Sequence, residues 1–304
     1  MTEQLNPLVS VLIATHNRLP VLMRAIESVM KQLYHPLELL IVDDASSDGT
    51  AQQVRERWPE IHLICLHKNS GVCMARNIGI ANARGEYIYL LDDDGWLEPR
   101  AIEHSVAVLQ AHPEIGAVES RLNNIVDNSE VGAYKEYEDV VYIQHFVECC
   151  SLLRREAVIA AGYFSDTLFW GAEGEELSLR MLYNGYRCCY QPASVMFHEL
   201  RNKSRENHWI ARHTLRNSTR IALWLWPFPW NIFRIGKNLL WNTPKQALRS
   251  RYLWLPLLMW VGLINDLTVL AQHRCCNIDQ KLFNWYRRLP AQNSVHEAGK
   301  SNSI

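Results

Sequence analysis

A chain of 304 residues with 48% hydrophobic content can bury a sizeable core, as one large domain or one domain plus an appendage. The formal net charge of −1 names no partner, but its distribution is uneven: from Arg201 to Arg251 there are eleven Lys/Arg and one acid, Glu206. The eight cysteines include the adjacent pairs Cys149-Cys150, Cys188-Cys189 and Cys275-Cys276 and no C-x-x-C spacing, and the opening "MTEQLNPLVS" lacks the pattern of a secretory signal. Free, mostly buried thiols in a reducing cytoplasm are expected, without a disulfide framework or a zinc site.

The first 120 residues alternate strand and helix signals. "LVSVLIAT" is a short apolar, β-branched run that predicts a fully buried strand, and "LPVLMRAIESVMKQ" follows with apolar residues at helical spacing. "LELLIVDDAS" predicts a second strand ending in acids. "SSDGTAQQVRERW" predicts a turn and a helix with Ser47 or Asp48 as N-cap. "IHLICL" predicts a third strand, "GVCMARNIGIANARG" a helix closed by Gly85, and "EYIYLL" a fourth strand. From about 115 to 200 the pattern is mixed. "EIGAVESRL", "VVYIQHF", "YRCCYQP" and "ASVMFHE" read as strands; "LRREAVIAAG" and "GEELSLRMLYNG" read as helices ended by Gly162 and Gly185.

Strands alternating with helices of this length imply βαβ units and a parallel sheet, whose ligands sit at the carboxyl ends of the strands. "THN", "DDAS" and "DDDG" follow the first, second and fourth predicted strands, so three polar clusters fall on one edge. The aspartates Asp92, Asp93 and Asp94 repel one another at neutral pH. A solvated turn tolerates that repulsion; a divalent cation carrying a phosphorylated ligand relieves it.

Beyond about residue 205, "IALWLWPFPWNIFRIGKNLLW" and "YLWLPLLMWVGLINDLTVLA" are rich in Trp and Leu, but Pro227, Pro229, Arg234 and Lys237 break the first. The second approaches spanning length yet carries Pro256 and Asn265-Asp266. Their basic, amphipathic character suits a membrane surface, with a helical cap or an oligomer interface as the plainer reading. The stretch 291–304 is polar and is expected to be a disordered tail.

"VSVLIATHNR", "LELLIVDDASSDGT" and "NSGVCMARNIGIANARGEYIYLLDDD", in this order and spacing, resemble the N-terminal half of inverting family 2 glycosyltransferases. "WGAEGEELSLRMLYNGYRCCYQPASVMFHE" resembles their acceptor-side block. The resemblance implies a GT-A fold, an α/β architecture with a mostly parallel central sheet flanked by helices. It divides the chain into a glycosyltransferase domain over 1–204, a basic Trp-rich helical extension over 205–290 and the tail. Within the domain, about 1–114 form the nucleotide-sugar half and about 115–204 the acceptor half. The implied activity is transfer of a sugar from a nucleoside diphosphate sugar, UDP by default, with Mn²⁺ or Mg²⁺. The acceptor would be a saccharide or lipid-linked saccharide in bacterial cell-surface polysaccharide synthesis. The implied location is the cytoplasm, peripheral on the inner face of the plasma membrane.

Site roles follow position by position. Asp92 and Asp94 match the D-x-D spacing that holds the metal, and His198 falls where an imidazole completes the metal or diphosphate shell. Asp93, Asp43, Asp44, Ala14, Thr15 and His16 frame the nucleotide, with Asp44 placed to read the base and His16 to stack on it. Arg18 is a candidate for a helix start or phosphate contact and Arg76 for phosphate contact, although Arg76 and Asn77 also fit a structural clamp on the "VDD" loop. Trp170 and Gly171 would line the acceptor, with Glu176. The pair Glu176 and Arg180, at i and i+4, reads equally as a salt bridge. The aspartate usually serving as base is replaced here by Gly174, which leaves Glu173 or Glu175 to take the acceptor's proton.

The competing readings are few. A dinucleotide-binding dehydrogenase requires G-x-G-x-x-G after the first strand, where this chain has "THNRLP". A phosphohydrolase could use "DDDG" but leaves "VDDAS" unexplained, and nucleic acid is not an expected partner, because the basic residues sit in a segment that suits lipid. Gly174 also allows a catalytically inactive binding or scaffolding subunit of a polysaccharide assembly complex.

Overall fold

Val9–Thr15 form β1 as an apolar run in which Val9, Val11, Leu12 and Ile13 are all at most 1% exposed. Burial on both faces is why the run shows no period-two alternation. β2 (Leu37–Asp43), β3 (His62–Cys65) and β4 (Tyr87–Asp92) join it in parallel. They alternate with α1 (Leu19–Met30), α2 (Thr50–Arg57) and α3 (Val72–Asn82), as the sequence predicts. The computed structural model describes residues 6–126, 129–133, 137–168, 171–199, 207–250, 254–256, 259–261 and 280–289.

The second half is built differently. After β5 (Gly95–Leu97) and α4 (Ala101–Ala111) come β6 (Ile115–Val126), β7 (Ser129–Ala133), β8 (Val141–Ile143) and β9 (Cys150–Arg154). α5 (Arg155–Ala161), α6 (Glu173–Tyr183) and β10 (Arg187–Glu199) complete it. One sheet runs through both halves in the order β3-β2-β1-β4-β9-β6-β10-β5. β9 is antiparallel to both β4 and β6, so the sheet is parallel in its first half and mixed beyond β4. One buried apolar cluster covers each face, with Leu22, Ile26, Ile102 and Val106 on one side and Ile80, Ala157, Val158 and Leu177 on the other.

Several local expectations need correction. α3 ends at Asn82 with Ala83 as C-cap, and Gly85 lies beyond it. A Cβ at Gly85 would stand 2.6 Å from the Ser10 backbone nitrogen, so close approach to β1 is what demands glycine there. The N-cap of α2 is Gly49, in the left-handed region, while Asp48 accepts from the Thr50 amide and from the Leu19 amide, tying this turn to α1. Leu153 and Arg154 belong to β9 rather than to the helix predicted through them, because pairing with β4 overrides their helical spacing. The two strands expected over 186–199 are one, β10, with a register shift between Gln191 and Val195. Gly162 does end α5, in the left-handed conformation. The cysteines of the described residues, Cys65, Cys73, Cys149, Cys150, Cys188 and Cys189, form no disulfide, and of these only Cys65 is exposed; Cys275 and Cys276 lie outside the described residues.

The C-terminal extension is helical: α7 (Asn207–Leu225), α8 (Trp230–Lys237), a π-helical turn (Asn238–Asn242), α9 (Thr243–Ser250) and α10 (Gln280–Tyr286). Ile221, Trp224, Leu225, Phe283 and Tyr286 bury themselves against Leu179 and Leu182 of α6. This face is the cap that the plainer reading anticipated. The other face stays open, with Leu240 74%, Phe228 71%, Trp241 68% and Phe233 65% exposed. Among the described residues no helix is long and apolar enough to cross a membrane. Most of the apolar segment 252–271, and the tail 291–304, lie outside the described residues.

Candidate active site

The register of the parallel strands assembles the site. Ala14 stands level with Val42 on one side and Asp92 on the other, and Thr15 with Asp43, so the loops after β1, β2 and β4 leave the sheet together. Thr15 Oγ1 donates to Asp93 Oδ2 at 2.8 Å. Arg18, at the N-cap of α1, reaches Asp93 Oδ1 at 2.9 Å and Asp94 Oδ2 at 2.5 Å. The buried Arg76 of α3 holds Asp92 Oδ1 at 2.8 Å. Two guanidiniums therefore share the work of relieving the three-carboxylate repulsion, beside the solvated turn or divalent cation that the sequence suggests.

The three aspartates have different electrostatics. Burial pushes the Asp93 carboxyl up to about 7, against the opposing charge of Arg18. Asp94 is also buried, but its contact with His198 and the charges of His198 and Arg18 outweigh that burial and hold it at about 2. Burial lowers the His198 imidazole, and the carboxylates of Asp94 and Asp92 more than compensate, so its net shift is upward. Burial likewise opposes the charge on Arg76, yet Asp92, Glu148 and Glu173 keep it above the ordinary guanidinium value.

This donor set fits a divalent cation brought in with a diphosphate. Asp94 Oδ1 is buried without a hydrogen bond, and His198 Nε2 stands 3.3 Å away. Among the described residues no three His, Cys, Asp or Glu side chains gather into a cage of their own. Mg²⁺ in particular is usually held by one or two carboxylates plus phosphate oxygens. An imidazole in the set favours Mn²⁺ over Mg²⁺.

Several expected nucleotide contacts hold loops as well. Asp43 Oδ1 accepts from the Ser46 amide at 2.9 Å. Buried Asp44 accepts from the amides of Ser70 (2.7 Å) and Gly71 (2.9 Å), so it staples the loop before α3 to the end of β2. His16 Nδ1 lies 2.7 Å from the Asp44 carbonyl oxygen, which fixes the ring beside that loop. Arg76 clamps Asp92 rather than the "VDD" loop, and Asn77 pairs with both the amide and the carbonyl of Phe164, at 2.9 Å each. The clamp expected of these two residues is therefore formed with other partners.

On the acceptor side, both carboxylate oxygens of buried Glu176 are taken by Arg180, at 2.7 and 2.5 Å, and Arg180 also donates to the carbonyls of Ala161 and Tyr163. The salt-bridge reading describes this pair, and it leaves Glu176 poorly disposed to bind an acceptor. Glu175 Oε1 lies 4.0 Å from Arg234 Nη2 of α8, so this carboxylate is oriented by the extension. Glu173 is buried at the start of α6. The Gly171 carbonyl accepts from Asn217 of α7 at 2.8 Å, and Trp170 lies outside the described residues.

Glu148 was not singled out by the sequence. It precedes β9, and its Oε1 accepts from the Gly174 amide in a very short contact. Burial, then the charge of Glu173, pushes its carboxyl up to about 7, with Arg76 opposing. The only signal in the sequence was one acid inside the apolar stretch "FVECCSLL".

The sequence model described as "Glycosyl transferase family 2" matches residues 10–162. An uncharacterized glycosyltransferase, YwdF of Bacillus subtilis strain 168, is 34% identical over 166 residues, covering 51% of this chain and 61% of the relative. A putative teichuronic acid biosynthesis glycosyltransferase, TuaG of the same organism, is 39% identical over 94 residues, covering 30% and 37%. The chain thus spans less than two thirds of the length of either relative. Among solved structures, the mannosyltransferase PcManGT from Pyrobaculum calidifontis, in complex with GDP-Man and Mn²⁺, superposes with a TM-score of 0.60 at 18% identity, covering 93% of this chain and 84% of that one. A match across half the chain, on a mixed α/β sheet whose strand ends carry this acidic site, places the protein in glycosyl transferase family 2, with a GT-A fold.

Proposed function

We propose that the protein is an inverting glycosyltransferase of cell-surface polysaccharide synthesis, using a nucleoside diphosphate sugar and a divalent cation. The observation that carries this reading is the convergence of Thr15, Arg18, Arg76, Asp92, Asp93, Asp94 and His198 at the ends of β1, β4 and β10, with Asp94 Oδ1 left without a hydrogen bond. Asp94, with His198 and Asp92, would hold the cation, which when bound stabilises the charge that develops on a departing diphosphate. Arg18 holds Asp93 and Asp94 in place, and Arg76 holds Asp92. Asp43, Asp44, Ala14 and His16 shape the nucleoside pocket, with the Asp44 staple fixing its wall. The names of relatives such as TuaG support a polysaccharide pathway, and PcManGT supports a metal-borne donor. UDP is the favoured nucleotide, and residues 1–114 and 115–204 are the donor and acceptor halves.

The open face of the extension supports an acceptor at a membrane, in this reading the inner face of the plasma membrane. Phe228, Phe233, Leu240 and Trp241 are exposed together with Lys237 and Lys245, which pairs insertable apolar tips with charges that attract anionic lipid.

Calorimetric titration of UDP, dTDP and GDP, with Mn²⁺ and with EDTA, tests the donor site on wild type and Asp94→Ala. Metal-dependent binding of one nucleotide, lost in the variant, is the expected result. No binding of any nucleotide would sink the transferase reading and leave the inactive scaffold in its place.

A further inference from the structure

We propose that Glu148, rather than Glu173 or Glu175, is the base that takes the proton from the acceptor hydroxyl; this rests on the transferase reading above. Three placements carry it. First, β9 runs antiparallel to β4 with Cys150 level with Leu91, and the Asp92 amide faces the Cys149 carbonyl at 3.4 Å. The residue before Cys149 is thereby delivered to the sheet edge where the aspartates stand. Second, Gly174 has no side chain, and Glu148 lies in the space beside it. A Cβ at 174 would run into the Phe146 carbonyl oxygen and stand 2.8 Å from Glu148 Oε1. The carboxylate missing from position 174 of α6 is supplied by the turn before β9. Third, Glu148 as a residue is only part-buried, although its carboxyl is shielded, whereas Glu173 is buried and Glu175 lies beside Arg234 of the extension.

The charged and titratable groups around Glu148 suit the task. Glu173 of α6 opposes its ionisation, Arg76 of α3 favours it, and the thiols of Cys73 and Cys149, both pushed up by burial and their neighbours, stay neutral. A base whose carboxyl titrates near neutrality combines an adequate ionised fraction with adequate basicity. In the step, Glu148 takes the hydroxyl proton as the acceptor oxygen bonds to the anomeric carbon. The bond from that carbon to the diphosphate oxygen breaks, its electron pair leaves with the nucleoside diphosphate, and the carbon inverts. Glu173 acts as a positioning residue, through its effect on Glu148.

The experiment uses the full chain. UDP and Mn²⁺ binding is measured by calorimetry, and nucleoside diphosphate release from UDP-glucose, UDP-N-acetylglucosamine, dTDP-rhamnose and GDP-mannose is followed from pH 5 to 9 with added bacterial membrane extract as acceptor. Glu148→Gln should bind UDP and Mn²⁺ within about two-fold of wild type and lose at least about 100-fold in turnover, together with the acid limb of the pH profile. Glu148→Asp should keep that limb at reduced rate, which separates lost chemistry from lost folding. Glu173→Gln should move the limb to lower pH, because the charge that opposes ionisation of Glu148 is gone. Turnover of Glu148→Gln within ten-fold of wild type, with the limb intact, overturns the assignment of the base and leaves the transferase reading standing. Failure of the wild type to bind any nucleotide overturns that reading, and the assignment with it.

Discussion

The first and second halves of the sheet reach the same edge by different routes. In the first half, parallel strands end in line, and nearly every charge at the edge finds an opposite charge: Asp92 has Arg76, and Asp93 and Asp94 share Arg18. In the second half, the turn before β9 and the N-terminus of α6 bring the charges of Glu148 and Glu173 to bear on each other, and Arg76, whose charge opposes them, is already engaged by Asp92. In the first arrangement burial raises Asp93 to about 7 while His198 and Arg18 hold Asp94 at about 2, so the acidities of adjacent carboxylates are driven apart. In the second, burial and the charge of Glu173 raise Glu148 to about 7, and the Arg76 that opposes them is shared with Asp92.

Perturbing each half should separate these behaviours. The largest effect is expected from Asp94→Ala, which removes the buried oxygen that has no hydrogen bond. Metal-dependent nucleotide affinity should fall by more than the roughly 10- to 100-fold typical of an outer-shell change, read by calorimetry. Retained affinity would mean that the acidic edge is a structural turn.

Arg76→Met should come next. It removes the cation shared by both halves and leaves Asp92, Glu148 and Glu173 without it, for a destabilisation of about 3 kcal/mol in denaturant melts. Arg18→Met, which removes a guanidinium that is 36% exposed against 8% for Arg76, should cost less, about 1 kcal/mol. Equal losses would erase the distinction between a cation that bridges the halves and one that serves a single half.

Gly174→Ala should destabilise by about 1–3 kcal/mol, because the new Cβ meets the backbone at Phe146. An unchanged melting temperature would show that the segment before β9 yields easily.

A smaller effect depends on pH. The folded state raises the Glu148 carboxyl from 4.5 to about 7, so it binds that proton more tightly than the unfolded chain does. Stability from this group is full below about 4.5 and is lost as pH rises through about 7. Glu148→Gln should match wild type at pH 4.5 and be more stable at pH 8, by about 1–2 kcal/mol. The opposite sign would place an unrecognised cation beside Glu148.

The smallest effect on the fold is expected in the extension. Phe233→Ser with Trp241→Ser should change stability by less than about 0.5 kcal/mol, as surface substitutions do, yet reduce sedimentation with phosphatidylglycerol vesicles. Unchanged vesicle binding would remove the lipid reading of that face.

Local pattern and tertiary structure divide the protein along the same line. Up to Asp92 the sequence by itself determined the order of strands and helices and the edge on which "THN", "DDAS" and "DDDG" meet, because buried parallel strands must be apolar throughout and their polar ends must fall together. It also determined the Glu176–Arg180 pair, a contact one helical turn apart. Only the tertiary structure decided which cation answers which aspartate, that Asn77 closes on Phe164, and that Leu153 and Arg154 extend a strand. Glu148 belongs to this second class. Its place depends on antiparallel pairing between residues about sixty positions apart and on the missing side chain of Gly174. Neither leaves a periodic mark on the sequence, since a contact between distant segments is set by register and packing rather than by spacing along the chain.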